Sequence, residues 1–131
     1  MFKELEIRTR DRIDFVDITN KLKEIVRQSN IEEGLMTVFI PHTTAGVTIN
    51  EHADPSVISD IKKQLEKLVP LNNGYSHSEG NSDAHIKASL IGSSVNIIIR
   101  NGELMLGTWQ GVFFCEFDGP RRRKIYVYIK Q

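Results

Sequence analysis

Val95-Asn96-Ile97-Ile98-Ile99-Arg100-Asn101-Gly102-Glu103-Leu104-Met105-Leu106 carries the plainest structural signal in this chain. Val95, Ile97 and Ile99 recur with the period of two that a half-buried strand requires. Asn101-Gly102 is the dipeptide a type I′ turn favours, because both of its positions must take positive φ, and Leu104 and Leu106 begin a return strand. An antiparallel hairpin is therefore predicted here. Downstream, Gly107-Thr108-Trp109-Gln110-Gly111 interrupts the return strand, and two glycines around a Trp predict a bulge or a close backbone approach. Val112 to Phe117 resumes extended structure and Asp118-Gly119-Pro120 turns. A C-terminal strand follows, with Ile125, Val127 and Ile129 opposite Tyr126 and Tyr128.

Upstream, residues 3 to 9 predict a first strand, Arg10-Asp11-Arg12 a charged turn and Ile13 to Val16 a second short strand. Ile18, Leu22, Ile25 and Val26 then recur at helical spacing, with Asp17 or Thr19 as N-cap and Asn30 and Gly34 near the stop. Leu35 to Ile40 is apolar on both faces, as a central strand would be, and Pro41 ends it. From Thr44 to Glu51 polar and apolar residues alternate, which predicts a half-polar strand. Asp54-Pro55 opens a helix whose stripe is Val57, Ile58, Ile61, Leu65, Leu68 and Val69, and Pro70 stops it. A polar connection over 71–81 leads to a short helix from Ser82 to Ile91. The fold class that follows is α+β: a single domain over residues 1–131, mostly antiparallel or mixed β-sheet with about three helices.

Composition excludes more than it identifies. Seventeen basic residues balance seventeen acidic ones in 131, so no global field draws the chain to nucleic acid or an anionic membrane. No apolar run approaches the ~18 residues needed to span a bilayer, the N-terminus has no signal-peptide core, and the one cysteine, Cys115, sits among Phe113, Phe114 and Phe117 as a buried thiol. These features predict a cytoplasmic protein.

The chemistry-bearing residues are the histidines. His42 follows a strand, while His77 and His85 bracket a small, acidic segment, with Ser89, Ala88 and Gly92 on the His85 side of a helix. Imidazole can ligate a metal or pass a proton near neutral pH, so His42, His77 and His85 are candidate metal ligands, of a type suited to zinc. Spacing adds little: His-x34-His-x7-His matches no tight metal motif. His52, at the mouth of the Asp54-capped helix, reads as a solvated side chain. Glu51 and Glu116 each end a largely apolar strand, where a carboxylate is costly without a metal, an Arg or a substrate group beside it. Arg121-Arg122-Arg123-Lys124 can hold phosphate, although a charge-blunted edge strand is the commoner explanation. Trp109 reads as core or interface.

Pro41-His42-Thr43-Thr44-Ala45-Gly46, Asn50-Glu51-His52-Ala53-Asp54-Pro55, Ala84-His85-Ile86-Lys87-Ala88-Ser89, Gly107-Thr108-Trp109-Gln110-Gly111 and Gly119-Pro120-Arg121 closely resemble the YjbQ family, in order and over nearly the whole chain. The resemblance implies a trimeric α+β protein described as a secondary thiamine-phosphate synthase. Such an enzyme joins an aminopyrimidine-methyl pyrophosphate to a thiazole phosphate and releases pyrophosphate. It places the family's polar motif residues at His42, Thr43, Glu51, His77, Asn81, His85, Lys87, Thr108, Gln110 and Arg121; His52 stands where a small amide is more typical. The reaction would call for Mg²⁺, which prefers carboxylate and water, whereas three histidines suit zinc.

Three functions follow as expectations. The first is an enzyme that gathers His42, His77 and His85, with Glu51 as acid/base and Lys87 and Arg121 on a phosphorylated substrate. The second is a metal-assisted hydrolase in which Glu51 takes a proton from bound water. The third is a non-catalytic homotrimer that binds a small ligand or a metal.

Overall fold

The computed structural model describes residues 1–131. The chain runs β1 (Phe2–Arg8), β2 (Asp14–Asp17), α1 (Thr19–Ser29), β3 (Glu33–Phe39), β4 (Ala45–Glu51), α2 (Pro55–Leu68), α3 (Ser82–Ile91), β5 (Ser94–Arg100), β6 (Glu103–Leu104), β7 (Gln110–Glu116) and β8 (Arg122–Lys130). The α+β single-domain expectation holds, with three helices and sheets paired antiparallel throughout.

The 95–106 hairpin closes as its turn dipeptide demands: Arg100 pairs with Glu103, and Asn101 and Gly102 take φ of 53° and 72°. Its return strand is only two residues long, because the Gly107–Gly111 segment is the corner at which the chain leaves one sheet for another. The larger sheet has the order β1-β8-β3-β5-β6, and the smaller one β2-β7-β4.

One core fills the space between the sheets. Met36, Val38, Ile97, Ile99, Ile125 and Val127 of the larger sheet meet Ala45, Val47, Val112 and Phe114 of the smaller one, and Leu22, Ile25 and Val26 of α1 join them. On the other face of the smaller sheet, Phe113, Cys115 and Phe117 pack with Ala84 and Ala88 of α3, and Ile58 and Leu65 of α2 lie against them. Strand β7 is thus covered on both faces, and residues 111–116 are all buried. Cys115 is fully buried, which pushes its thiol up and leaves it inert at neutral pH.

Strand β3 is central as expected, between β8 and β5, and Leu35 and Phe39 stay about two-fifths exposed on the outer face of the larger sheet, where Phe39 and Phe2 lie against Tyr126. Two expectations change. The α2 stripe is only half-buried, with no residue of that helix in the core. The 121–124 cations do not blunt an edge, since β8 lies between β1 and β3.

Helix α2 starts at its expected cap: Asp54 accepts the Ser56 N–H at 2.9 Å, with Pro55 as first residue. The N-cap of α1 is Ile18, not Asp17 or Thr19; Asp17 stands one residue ahead of it and accepts both the N–H and the hydroxyl of Thr19, whose oxygen in turn accepts the Val112 N–H.

Candidate functional site

His42 leaves the end of β3 and its Nε2 accepts the Lys124 N–H at 2.9 Å. That bond fixes the tautomer: Nε2 supplies the lone pair, so Nδ1 carries the proton. Partial burial, helped by the nearby Arg123 guanidinium, holds its pKa below the usual histidine range. His42 is therefore a neutral hydrogen-bond donor at pH 7.

Across from it, α3 presents His85. The two imidazoles share an open cleft of about 500 Å³ with Thr43, Ser89 and Ser93. The helix end comes this close to β4 because Gly46 has no side chain: a Cβ there would stand 2.6 Å from the Gly92 carbonyl oxygen. The ring of His77 meets that of His85 edge-on, with centroids 5.3 Å apart. All three histidines are thus neighbours in one row, as expected from sequence.

Their geometry does not suit a shared metal. The His42 Nε2 lone pair is already used, and no three His, Cys, Asp or Glu side chains lie together at metal-holding distance in the chain. His42, His77 and His85 are accordingly read as proton-handling and hydrogen-bonding groups.

The cations predicted to hold phosphate are mostly committed. Lys87 is fully buried, donating to Glu66 at 2.6 Å and to Asp83 at 3.0 Å. Arg12 grips the same Asp83 with both terminal nitrogens. Burial pushes the Asp83 carboxyl up, but these cations outweigh it and hold it below the usual carboxylate range. Arg121 donates to the Asp118 carbonyl and carboxylate, and Asp118 also accepts from Asn81. Arg123 answers the question posed by Glu116. It donates to both carboxylate oxygens and to the Thr44 hydroxyl, and Thr9 adds a further bond to Glu116 at 2.8 Å. Arg122 and Lys124 point outward and stay exposed, 3.8 and 3.9 Å from Glu6 and Glu4.

Glu51 is not in this group. It lies at the far end of β4, six residues beyond Ala45, or about 20 Å at the rise of a strand. Its only side-chain hydrogen bond is from the Asp54 N–H at 3.2 Å. Thr108 and Gln110 are at that same end, where Gln110 pairs with Glu51. Trp109 is 62% exposed and so is not core.

Sequence reasoning missed the role of His52. Its Nδ1 bonds Asp17 at 2.9 Å, and its backbone N–H donates to the Trp109 carbonyl. A Cβ on Gly111 would stand 2.4 Å from Nδ1, so the glycine is what lets the imidazole pack there. Two glycines around Trp109 were the signal that some side chain approached the backbone closely.

The family described as UPF0047 protein YjbQ-like matches residues 3–131. A UPF0047 protein of Methanocaldococcus jannaschii is 53% identical over 129 residues, covering 98% of this chain and 94% of the relative. YugU of Bacillus subtilis, also a UPF0047 protein, is 44% identical and covers 97% of each. Among solved structures, an uncharacterized conserved protein of the yjbq/upf0047 family from Clostridium acetobutylicum superposes with a TM-score of 0.96 at 55% identity, over 98% of this chain and 99% of that one.

Proposed function

Because the chain belongs to the YjbQ-like UPF0047 family, we propose that it is a small-molecule transferase of the thiamine-phosphate synthase kind, working through the His42/His85 cleft. In that reaction a bond forms between the thiazole nitrogen and the methylene carbon of the aminopyrimidine, while the carbon–oxygen bond to pyrophosphate breaks. Negative charge grows on the departing oxygen. A fixed, neutral imidazole N–H is a donor suited to that charge, and His42 is held in that form before any substrate arrives. His85 supplies the second imidazole, for hydrogen bonding or proton transfer.

The pairing of these two imidazoles on one cleft of about 500 Å³, a usual size for a small-molecule site, is the observation that carries the reading. Arg122 and Lys124 add exposed positive charge near His42, whose Nε2 accepts the Lys124 N–H, and Thr43, Ser89 and Ser93 line the cleft with hydroxyls. The working form is proposed to be a cytoplasmic homotrimer, on the family resemblance. No helix is long and apolar enough to cross a membrane.

Incubation with both substrates, followed by chromatography, should give thiamine phosphate and pyrophosphate. His85→Ala should abolish turnover and leave the circular dichroism spectrum unchanged. Undiminished turnover in that variant refutes the site. Pyrophosphate release without the thiazole substrate would make the protein a hydrolase instead, and saturable binding without product would make it a binding module.

A further inference from the structure

The cleft has imidazoles and hydroxyls but no fixed, free carboxylate. Asp83 is held by Arg12 and Lys87, Glu116 by Arg123, and Asp118 by Arg121. Glu79 alone is unpaired there, in the exposed loop at 71–81, and it comes no nearer to His77 than 3.9 Å. The opposite end of β4 has the reverse inventory. Glu51 has no cation partner, and its surroundings are fixed by the Asp17–His52 bond, by the bond from the His52 N–H to Trp109 and by the close approach of Gly111.

The two ends are complementary in two ways. Near His42, whose Nε2 accepts the Lys124 N–H, stand exposed Arg122 and Lys124, no closer than 3.8 and 3.9 Å to Glu6 and Glu4, while Glu51 and Asp54 stand at the far end with no cation partner. Each end also has exposed apolar neighbours: Ile86 and Leu90 follow His85 and Ser89 on α3, while Met105 precedes the Gly107–Gly111 corner and Trp109 sits in it. A contact between two different patches of one surface is head-to-tail, and such a contact makes a ring where the rotation between copies closes.

We propose that the active site is shared between copies of this chain, the Glu51 end of one protomer closing on the His42/His85 cleft of the next. This rests on the enzymatic reading above. Glu51 then supplies the carboxylate that the cleft lacks, and the Asp17–His52 pair acts as a positioning element beneath it. The occupant remains a small phosphorylated substrate, held between the two chains.

Two measurements on co-assembled chains test this. Glu51→Gln and His85→Ala should each lower turnover by at least ~100-fold alone. Co-expressed under two tags and purified as mixed trimers, they should recover about a third of wild-type activity, because in either mixed trimer one of the three junctions has both residues intact. No recovery in mixed assemblies of an active wild type overturns the proposal. The second measurement needs no activity. Ser89→Cys and Thr108→Cys chains, co-assembled in the same way and treated with a short bis-maleimide, should give a covalent dimer that neither variant gives alone; Cys115 is buried and stays silent. Absence of that dimer overturns the shared site, even if the wild type proves inactive on the thiamine precursors. A dimer from an inactive wild type upholds the shared site and refutes only the choice of reaction.

Discussion

Replacing Arg123 by methionine should be the most damaging single change near the cleft. The guanidinium is 6% exposed and bonds both oxygens of Glu116, which is fully buried. Arg123→Met keeps the apolar stem but leaves a buried carboxylate whose remaining bonds come from Thr9 and the Asp118 N–H. Removing one partner of such a pair costs about 3–5 kcal/mol, which for a chain of this size lowers Tm by roughly 10–20 °C. In the wild type, burial pushes Glu116 up, but bonding to Arg123 and Thr9 outweighs it and holds the carboxyl below its usual range. A depressed folded-state pKa means that the stabilisation is present above the unfolded carboxylate pKa and is lost as pH falls through the folded value. In the variant the unpaired carboxyl is raised instead and takes up a proton readily, so the gap between the two proteins should narrow from pH 7 towards about pH 4. Urea unfolding followed by circular dichroism measures both quantities. The double variant Arg123→Met/Glu116→Leu should recover most of the loss. A single-variant cost below about 1 kcal/mol, or a gap that widens in acid, would show that the pair is not the buried charge pair described here.

Three further outcomes follow from the sites themselves. Nitrogen NMR of His42 should show the Nδ1–H tautomer and a midpoint below that of an ordinary histidine; an Nε2–H tautomer would remove the Lys124 bond and with it the donor assigned to catalysis. His52→Asn keeps a donor for Asp17 and should unfold close to wild type, whereas His52→Ala should cost about 1 kcal/mol. Gly111→Ala should cost about 1–3 kcal/mol by driving a methyl into the imidazole, and equal stability in all three would dismiss His52 as a staple.

Local structure was legible because each element is specified by its own residues. The Asn101-Gly102 turn, the Asp54-Pro55 cap and the alternation along β4 and β8 are short-range signals, and each is found where the sequence puts it. Coverage was not legible. Leu35–Ile40 and Val112–Phe117 are similarly apolar, yet only β7 has a packed layer on each side. A strand's neighbours in the third dimension come from remote segments, and the apolar pattern cannot name them. Charge partners were half legible. The cost of a buried carboxylate demanded a partner for Glu116, and an arginine was among the three kinds proposed; that it would be Arg123 depended on the β7–β8 corner. For Lys87 the helix gave Asp83 at i−4, but Glu66 comes from another element.

The site shows the same division, with one difference that bears on mechanism. His42 precedes β4 and Glu51 closes it, and both positions could be read from the alternation of residues 44–51 alone. A strand of that length rises about 3.3 Å per residue, so its two ends stand about 20 Å apart and no side chain bridges them. The expectation of a strand and the expectation that Glu51 gathers with His42 and His85 are therefore incompatible within one chain. The strand is present. Either Glu51 has no part in the chemistry of the histidine cleft, or it reaches that cleft from another copy. Its freedom from any cation, at an end built rigidly by Asp17, His52 and Gly111, favours the second.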